Sequence, residues 1–243
     1  MNGSDQVDWC VLMDRPLQLF CFPFAGGNVY SFRSWPQHFS DRIRVEPLEL
    51  PGRGRRGREP LLVSLEAMID DMTGQLLSRV QGPYALFGHS LGACLAFGVA
   101  HRCVRAGGVL PRHLFLSGRK APGAIRNEVW KHRLDRPQFL RVLEEYGGFS
   151  PQLLADAGFV EYIEPILRAD FQAIETHVAV PLPPLPLPLT VFMGQREEFE
   201  EAEAQLWRAE TSASMTLIQY PGGHFFLNDH LPSVAARIEE DLI

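Results

Sequence analysis

One serine of this 243-residue chain lies in a pattern typical of a catalytic nucleophile. Residues 88–92 read Gly-His-Ser-Leu-Gly, with Ser90 at the centre. An apolar segment, Tyr84 to Phe87, precedes the pattern, and small and apolar residues over 91–106 follow it. A serine on a sharp strand-to-helix turn is held above the sheet, where only glycine fits two residues to either side. The context therefore predicts a nucleophile at Ser90 rather than a hydrogen-bonded serine in an ordinary glycine-rich turn.

A serine hydroxyl needs a base to react at neutral pH. In hydrolases with this strand-to-helix turn, an acid and then a histidine follow the serine along the chain. His224 lies in Pro-Gly-Gly-His-Phe-Phe, residues 221–226, between the last apolar segment and the last helical pattern. We therefore predict His224 as the base. His224 and His230 are six residues apart, which is not a helical ligand spacing, and no His-Glu-x-x-His pattern occurs, so we expect no metal. We also expect no cofactor.

The acid that orients the histidine should follow the apolar segment Leu189 to Met193. Several carboxylates follow it in residues 194–201, which read Gly-Gln-Arg-Glu-Glu-Phe-Glu-Glu. We predict Glu197 as the acid, with Glu198 as the alternative, because glutamate can fill this role. The same acids could instead begin a solvated helix, where negative charge favours the N-terminus.

Two backbone N–H groups are candidates for an oxyanion hole. Leu91 follows the serine at the start of a helix, where an N–H can stabilise developing negative charge. The second donor should come from the loop after the first strand, Pro-Phe-Ala-Gly-Gly over 23–27. We predict the N–H of Ala25, because small residues let this backbone approach a substrate carbonyl.

Six apolar segments of strand length alternate with helical patterns along the chain. They are Leu17 to Phe22, Arg44 to Leu50, Tyr84 to Phe87, His113 to Ser117, Leu189 to Met193 and Met215 to Tyr220. Helices are predicted after Ser64 as the N-cap, over 91–106, and at the C-terminus on the apolar positions Leu231, Val234, Ala235, Ile238 and Leu242. This alternation predicts an α/β fold with a mostly parallel sheet and helices on both faces.

The alternation is interrupted from about residue 130 to 178, where no strand candidate occurs. An amphipathic helix is predicted there from Phe159, Tyr162, Ile163, Ile166, Leu167 and Phe171. A helical insertion between two strands can form a lid over a site, and a packed structural insert is the alternative. The proline-rich residues 181–188 are predicted to be an extended connector to the next strand.

Residues 52–57 fit the dinucleotide-binding pattern G-x-G-x-x-G and follow a predicted strand. In a dinucleotide site the last glycine opens a helix, whereas Arg58-Glu59-Pro60 follows here. We therefore predict no dinucleotide site. We interpret this segment as a solvated turn that carries four arginines, namely Arg53, Arg55, Arg56 and Arg58.

The overall composition fits a single globular domain over residues 1–243, with 46% hydrophobic and 21% charged residues. A net charge of −6 and a pI near 5.8 give no reason to expect nucleic acid as a partner. The spacing of Cys10, Cys21, Cys94 and Cys103 predicts reduced thiols. No signal peptide or membrane-spanning apolar run is evident. We expect a cytoplasmic monomer without a membrane partner.

Six motifs together make the chain resemble the type II thioesterases that accompany polyketide synthases and nonribosomal peptide synthetases. The motifs are at residues 19–27, 50–54, 87–92, 116–119, 167–171 and 221–226. The resemblance implies an α/β-hydrolase fold with a helical lid. It also implies hydrolysis of acyl groups from the phosphopantetheine arm of acyl or peptidyl carrier proteins, which clears stalled synthase lines. The family usually has aspartate where Glu197 stands.

Two other functions stay open at this point. The same triad could act as an esterase or acyltransferase on free small molecules. The missing aspartate also permits a weakly active module that binds carrier proteins.

Overall fold

A single parallel sheet of six strands organises the protein, whose computed structural model describes residues 15–124 and 130–243. The strands are β1 (Leu17–Phe22), β2 (Ile43–Pro47), β3 (Tyr84–His89), β4 (Leu114–Ser117), β5 (Leu189–Gly194) and β6 (Met215–Tyr220). Their order across the sheet is β2-β1-β3-β4-β5-β6, and every neighbouring pair is parallel. The predicted α/β fold with a parallel sheet is therefore confirmed.

All six predicted strands occur, and the bounds of β1 and β6 are those predicted. The second strand is shorter than predicted, because it ends at Pro47 rather than Leu50. Leu48 and Leu50 are fully buried, so their apolar character reflects packing in a loop beyond the sheet. A short apolar run alone does not distinguish these two situations.

Within the described ranges, six α-helices lie between strands and a seventh follows the last strand. They are α1 (Leu65–Arg79), α2 (Leu91–Ala106), α3 (Arg136–Tyr146), α4 (Pro151–Ala155), α5 (Ala157–Thr176), α6 (Glu201–Gln205) and α7 (Leu227–Leu242). Ser64 caps α1 as predicted, because its side chain accepts a hydrogen bond from the Ala67 N–H at 3.4 Å. Among the residues described, no helix is both long and apolar enough to cross a membrane.

The sheet is covered by helices on both faces, as predicted. Phe20 and Phe22 of β1 point to the face that packs against α1 and α2, whereas Leu19 points to the face that packs against α7. Consecutive residues of a strand face opposite sides, so β1 is buried along its whole length. This burial explains why the strands are nearly continuous apolar runs.

The segment between β4 and β5 contains α3, α4 and α5 and, over its described residues from 130 to 178, no strand. Ile163, Ile166 and Leu167 of α5 pack with residues of α3 in a separate apolar cluster. Tyr162 was predicted on this apolar face and is instead 53% exposed. It precedes Ile163 by one residue, a turn of about 100° on a helix, which directs its side chain toward solvent.

Two smaller predictions concern the connector and the cysteines. Residues 181–188 form no helix and lead into β5, with Leu185 and Leu187 buried. Cys21, Cys94 and Cys103 are free thiols, and Cys10 lies outside the described residues.

The glycine- and arginine-rich turn after β2 differs from its prediction at one residue. Residues 54–56 form a single 3-10 turn and α1 begins only at Leu65, so Gly57 opens no helix, as predicted. The interpretation of all four arginines as a solvated turn was wrong for Arg53, whose side chain is only 1% exposed. It is buried because a carboxylate far along the chain neutralises its charge.

That carboxylate is Asp170 of α5, which is fully buried. The two terminal nitrogens of Arg53 donate to the two Asp170 oxygens at 2.6 and 2.7 Å. One of these oxygens also accepts the Gly26 N–H at 2.8 Å. A single buried carboxylate thus joins the loop after β1, the turn after β2 and helix α5.

We predict that Asp170→Asn destabilises the protein by about 3–5 kcal/mol, because it leaves the Arg53 charge buried without a counter-charge. Asp71→Asn is the matched control. Asp71 also pairs with an arginine, Arg56, but its side chain is 21% exposed and Arg56 keeps a second partner in Glu59. The control should cost about 1 kcal/mol or less. Urea unfolding measures both, and equal losses would contradict the role assigned to Asp170.

Candidate active site

Ser90 occupies a strained turn between the end of β3 and the start of α2. Its φ of 56° and ψ of −115° make it the sole non-glycine residue with positive φ in the described ranges. The Ser90 N–H donates to the Ser117 carbonyl at the end of β4 at 2.8 Å. Such a conformation costs of order 1–3 kcal/mol and persists only where the surrounding structure enforces it.

The two glycines of the serine pattern are required by close backbone contacts. A Cβ atom at Gly88 would lie 2.0 Å from the Gly92 carbonyl oxygen, and one at Gly92 would lie 2.1 Å from the Phe22 carbonyl oxygen. Both contacts are with backbone atoms, which cannot rotate away as a side chain can. The steric reason predicted for glycine at these positions therefore holds in the structure.

His224 and Glu197 come together, although they follow different strands. His224 lies between β6 and α7, and its Nδ1 is 2.9 Å from Glu197 Oε2. The Glu197 side chain is 1% exposed, whereas that of Glu198 is 60% exposed. Glu198 instead accepts a hydrogen bond from the Tyr146 hydroxyl at 2.9 Å. Of the two carboxylates considered from the sequence, Glu197 is thus the one beside the histidine.

Ser90 and His224 line the same cavity, of about 530 Å³, together with Glu197. In the described part of the chain no hydrogen bond joins Ser90 Oγ to His224. Contacts between catalytic groups are often long in free enzymes and tighten when substrate binds. The structure therefore brings the three predicted side chains to one cavity, with one of their two expected hydrogen bonds formed.

A second histidine lies directly beside His224. His89 is buried, its Nδ1 is 2.9 Å from Ser117 Oγ, and its ring centroid is 4.8 Å from that of His224. Burial, and secondarily the nearby His224, lower the pKa of His89 well below its usual 6.5. His89 is therefore neutral and adds no positive charge beside His224. Sequence reasoning considered only histidines after Ser90 and missed it, although it lies inside the serine pattern.

The two residues predicted to supply the oxyanion donors lie near Ser90 in different ways. Leu91 is the first residue of α2, and Ala25 lines the cavity. Neither backbone N–H has an acceptor within the described residues. The bond from the Gly26 N–H to Asp170 fixes the loop that carries Ala25. Neither N–H group is therefore occupied by a protein acceptor in the described part of the chain.

Helices α3 and α5 supply much of the apolar wall of the cavity, through Leu143, Leu167 and Phe171, and Phe149 lies between them. Phe139 of α3 is fully buried among the helices, and the ring centroid of Phe159 lies 5.4 Å from that of Phe149. Within the ranges described, no cluster of histidine, cysteine or acidic residues could hold a metal ion.

Comparison with known proteins identifies the family. The family model for the thioesterase domain matches residues 17–242. The chain belongs to the thioesterase family. As a member of this family, it is a thioester hydrolase.

Its relatives belong to biosynthetic pathways. The gramicidin S biosynthesis protein GrsT of Aneurinibacillus migulanus is 34% identical over 214 residues, which are 87% of this chain and 83% of GrsT. RedJ, a thioesterase from the prodiginine pathway of Streptomyces coelicolor, has a TM-score of 0.88 at 36% identity, covering 94% of this chain and 87% of RedJ. The type II thioesterase BorB from the borrelidin cluster has a TM-score of 0.87 at 32% identity, covering 95% and 94%. These similarities confirm the α/β-hydrolase fold.

We predict that Gly92→Ala lowers the free energy of unfolding by about 1–3 kcal/mol or more, because the added methyl group collides with the Phe22 carbonyl. Gly74→Ala in α1 is the matched control. Gly74 has open space around its Cβ position, so alanine there should stabilise the helix by up to about 1 kcal/mol. Thermal unfolding of both variants tests this, and a Gly92→Ala protein as stable as the wild type would contradict the tight turn.

Proposed function

We propose that this protein is a type II thioesterase that hydrolyses acyl groups from the phosphopantetheine arm of acyl or peptidyl carrier proteins. The observation that carries the proposal is the arrangement of Ser90, His224 and Glu197 in one apolar-walled cavity, with the carboxylate bonded to the imidazole. Similarity to type II thioesterases over nearly the whole chain supports the substrate class.

In the proposed mechanism, Ser90 Oγ attacks the thioester carbonyl carbon while His224 Nε2 takes the hydroxyl proton. Glu197 accepts the Nδ1–H of His224, which fixes the tautomer and stabilises the imidazolium. The Leu91 and Ala25 N–H groups bind the oxyanion, and each such donor is worth about 3–4 kcal/mol in the transition state. The C–S bond then breaks, and His224 returns its proton to the leaving thiolate.

The second half of the reaction releases the acid. A water molecule attacks the acyl-serine carbonyl and gives its proton to His224, which then protonates Ser90 Oγ as that oxygen leaves. The neutral state of His89 matters in both halves, because a positive charge 4.8 Å away would oppose protonation of His224.

We further propose that residues 1–243 act as one unit in which the insertion over about 130–178 is a lid. Helices α3 and α5 form one wall of the cavity, so movement of these helices would open it. The ion pair between Arg53 and Asp170 fixes α5 to the loop that carries Ala25. Movement of the lid should therefore be greatest in α3 and α4, which lack this bond.

We predict that Ser90→Ala lowers the rate of acyl release from carrier proteins by at least about a thousandfold, because no nucleophile is left. Mass spectrometry of a panel of acylated carrier proteins before and after enzyme addition measures the loss of each acyl group. The wild type should release acyl groups from carrier proteins faster than it hydrolyses simple esters of the same acids. A preference for free esters would favour a carboxylesterase, and full activity of Ser90→Ala would refute the mechanism.

We predict that Glu197→Ala slows turnover by about 10²–10⁴-fold, because the imidazole loses its orienting carboxylate. Glu198→Ala is the matched control, since it removes the neighbouring carboxylate, which bonds to Tyr146 rather than to His224. The control should change kcat by only a few fold. Equal or reversed effects on kcat would overturn the choice of Glu197.

A further inference from the structure

Arg119 lies beside the catalytic base on the segment that follows β4. A Cβ atom at the preceding residue, Gly118, would lie 3.3 Å from His224 Cε1, so the backbone passes directly against the imidazole. The Arg119 carbonyl accepts the Trp207 indole N–H at 2.8 Å, which fixes the backbone at this point. Arg119 itself lines the cavity that holds Ser90.

The other cationic and acidic groups that line this cavity have partners. Lys120 Nζ is 2.9 Å from Glu203, and Lys131 Nζ contacts the Tyr146 hydroxyl and lies 3.6 Å from Glu198. Glu197 bonds to His224, and Glu175 pairs with His132. Each of these charges is therefore balanced by the protein.

Arg119 is the exception. Among residues 15–124 and 130–243, no hydrogen bond or ion pair involves its guanidinium group, and its Nε atom is buried without a partner. A guanidinium that lines an active-site cavity and has no partner in the described protein keeps its terminal N–H donors free for a ligand group. A guanidinium presents five N–H donors in a planar fork that matches carboxylate and phosphate oxygens.

The positive charge of Arg119 also acts on Tyr146, the last residue of helix α3. Burial raises the pKa of the Tyr146 phenol well above its usual 10, and the positive charge of Arg119 acts in the opposite direction. The Tyr146 ring centroid is 5.3 Å from that of His224. The guanidinium therefore acts on the part of the cavity between the catalytic base and α3.

We propose that Arg119 binds an anionic oxygen group of the substrate within this cavity. The proposal rests on the proposed thioesterase function and adds a substrate class to it. Two parts of such a substrate carry the required oxygens, namely a carboxylate on the acyl group and the phosphate of the phosphopantetheine arm.

The position of Arg119 favours the acyl carboxylate. Its Cα is about 3.8 Å from that of Gly118, which places it next to the base and hence near the reacting carbonyl. The phosphate is separated from the thioester sulfur by two amide units and their methylene groups. The geometry therefore points to acyl groups with a carboxylate close to the thioester, as in malonyl-type thioesters.

Four small thioesters separate these sources. They are the propionyl and malonyl thioesters of pantetheine and of 4′-phosphopantetheine, in which malonyl replaces the propionyl methyl group by a carboxylate. We expect Arg119→Gln to lower kcat/KM for the malonyl substrates about 10- to 100-fold more than for the propionyl ones. If the phosphate is the ligand, Arg119→Gln should instead lower kcat/KM more for the two 4′-phosphopantetheine thioesters than for the two pantetheine thioesters. Arg119→Lys should keep part of the activity.

Lys120→Gln is the matched control, because it removes a neighbouring cavity charge that already has a partner. It should change kcat/KM equally for all four substrates. If Arg119→Gln also affects all four equally, or none of them, the proposal is wrong. Circular dichroism of each variant establishes that a loss of activity is not a loss of folding.

A binding measurement keeps this test separate from the proposed function. Calorimetry with Ser90→Ala and with the double variant Ser90→Ala/Arg119→Gln gives the Kd of each thioester without turnover. The Arg119→Gln substitution should raise the Kd of the anionic ligand about 10- to 100-fold. A change of this size is on the order expected for the loss of one charge-assisted hydrogen bond. Failure of the wild type to hydrolyse any thioester would refute the function, whereas unchanged Kd values would refute the role of Arg119.

Discussion

The whole arrangement depends on the turn that holds Ser90 at a φ of 56° where β3 crosses into α2. The crossing is so close that Cβ atoms at Gly88 and Gly92 would lie 2.0 and 2.1 Å from backbone oxygens. The strain in the turn is balanced by packing on both sides of β3, which is buried at every position. The turn places the Ser90 hydroxyl group in the cavity and the N–H of Leu91 next to it, at the carboxyl edge of the sheet.

The parallel sheet then brings the other groups to the same edge. All six strands run in one direction, so the segments that follow β1, β3, β4, β5 and β6 begin at the same edge of the sheet. These segments carry Ala25, Ser90, Arg119, Glu197 and His224 respectively. Residues that are far apart in the sequence therefore lie close together at this edge. The buried ion pair between Arg53 and Asp170 adds a fixed point, because it fastens helix α5 to the loop that carries Ala25.

Much of this could be predicted from the sequence because the signals were local. The apolar runs of β1 and β6, the Ser64 cap and the glycines around Ser90 follow from neighbouring residues alone. Arg53 could not be predicted, because a charged residue in a glycine-rich turn is normally solvated and its partner lies 117 residues away. The choice between Glu197 and Glu198 likewise depends on which carboxylate faces His224, and adjacent identical residues carry no such information. Tyr162 shows that an apolar residue near a helical stripe can still point outward.

The proposed catalysis requires that the Ser90 hydroxyl, carried on a strained backbone, is a nucleophile activated by His224. The most direct test is reaction of the protein with a fluorophosphonate probe, followed by tandem mass spectrometry of its peptides. We expect one adduct, on Ser90, that forms much more slowly in His224→Ala. An adduct on another residue, or equal labelling of Ser90 in the wild type and in His224→Ala, would contradict it.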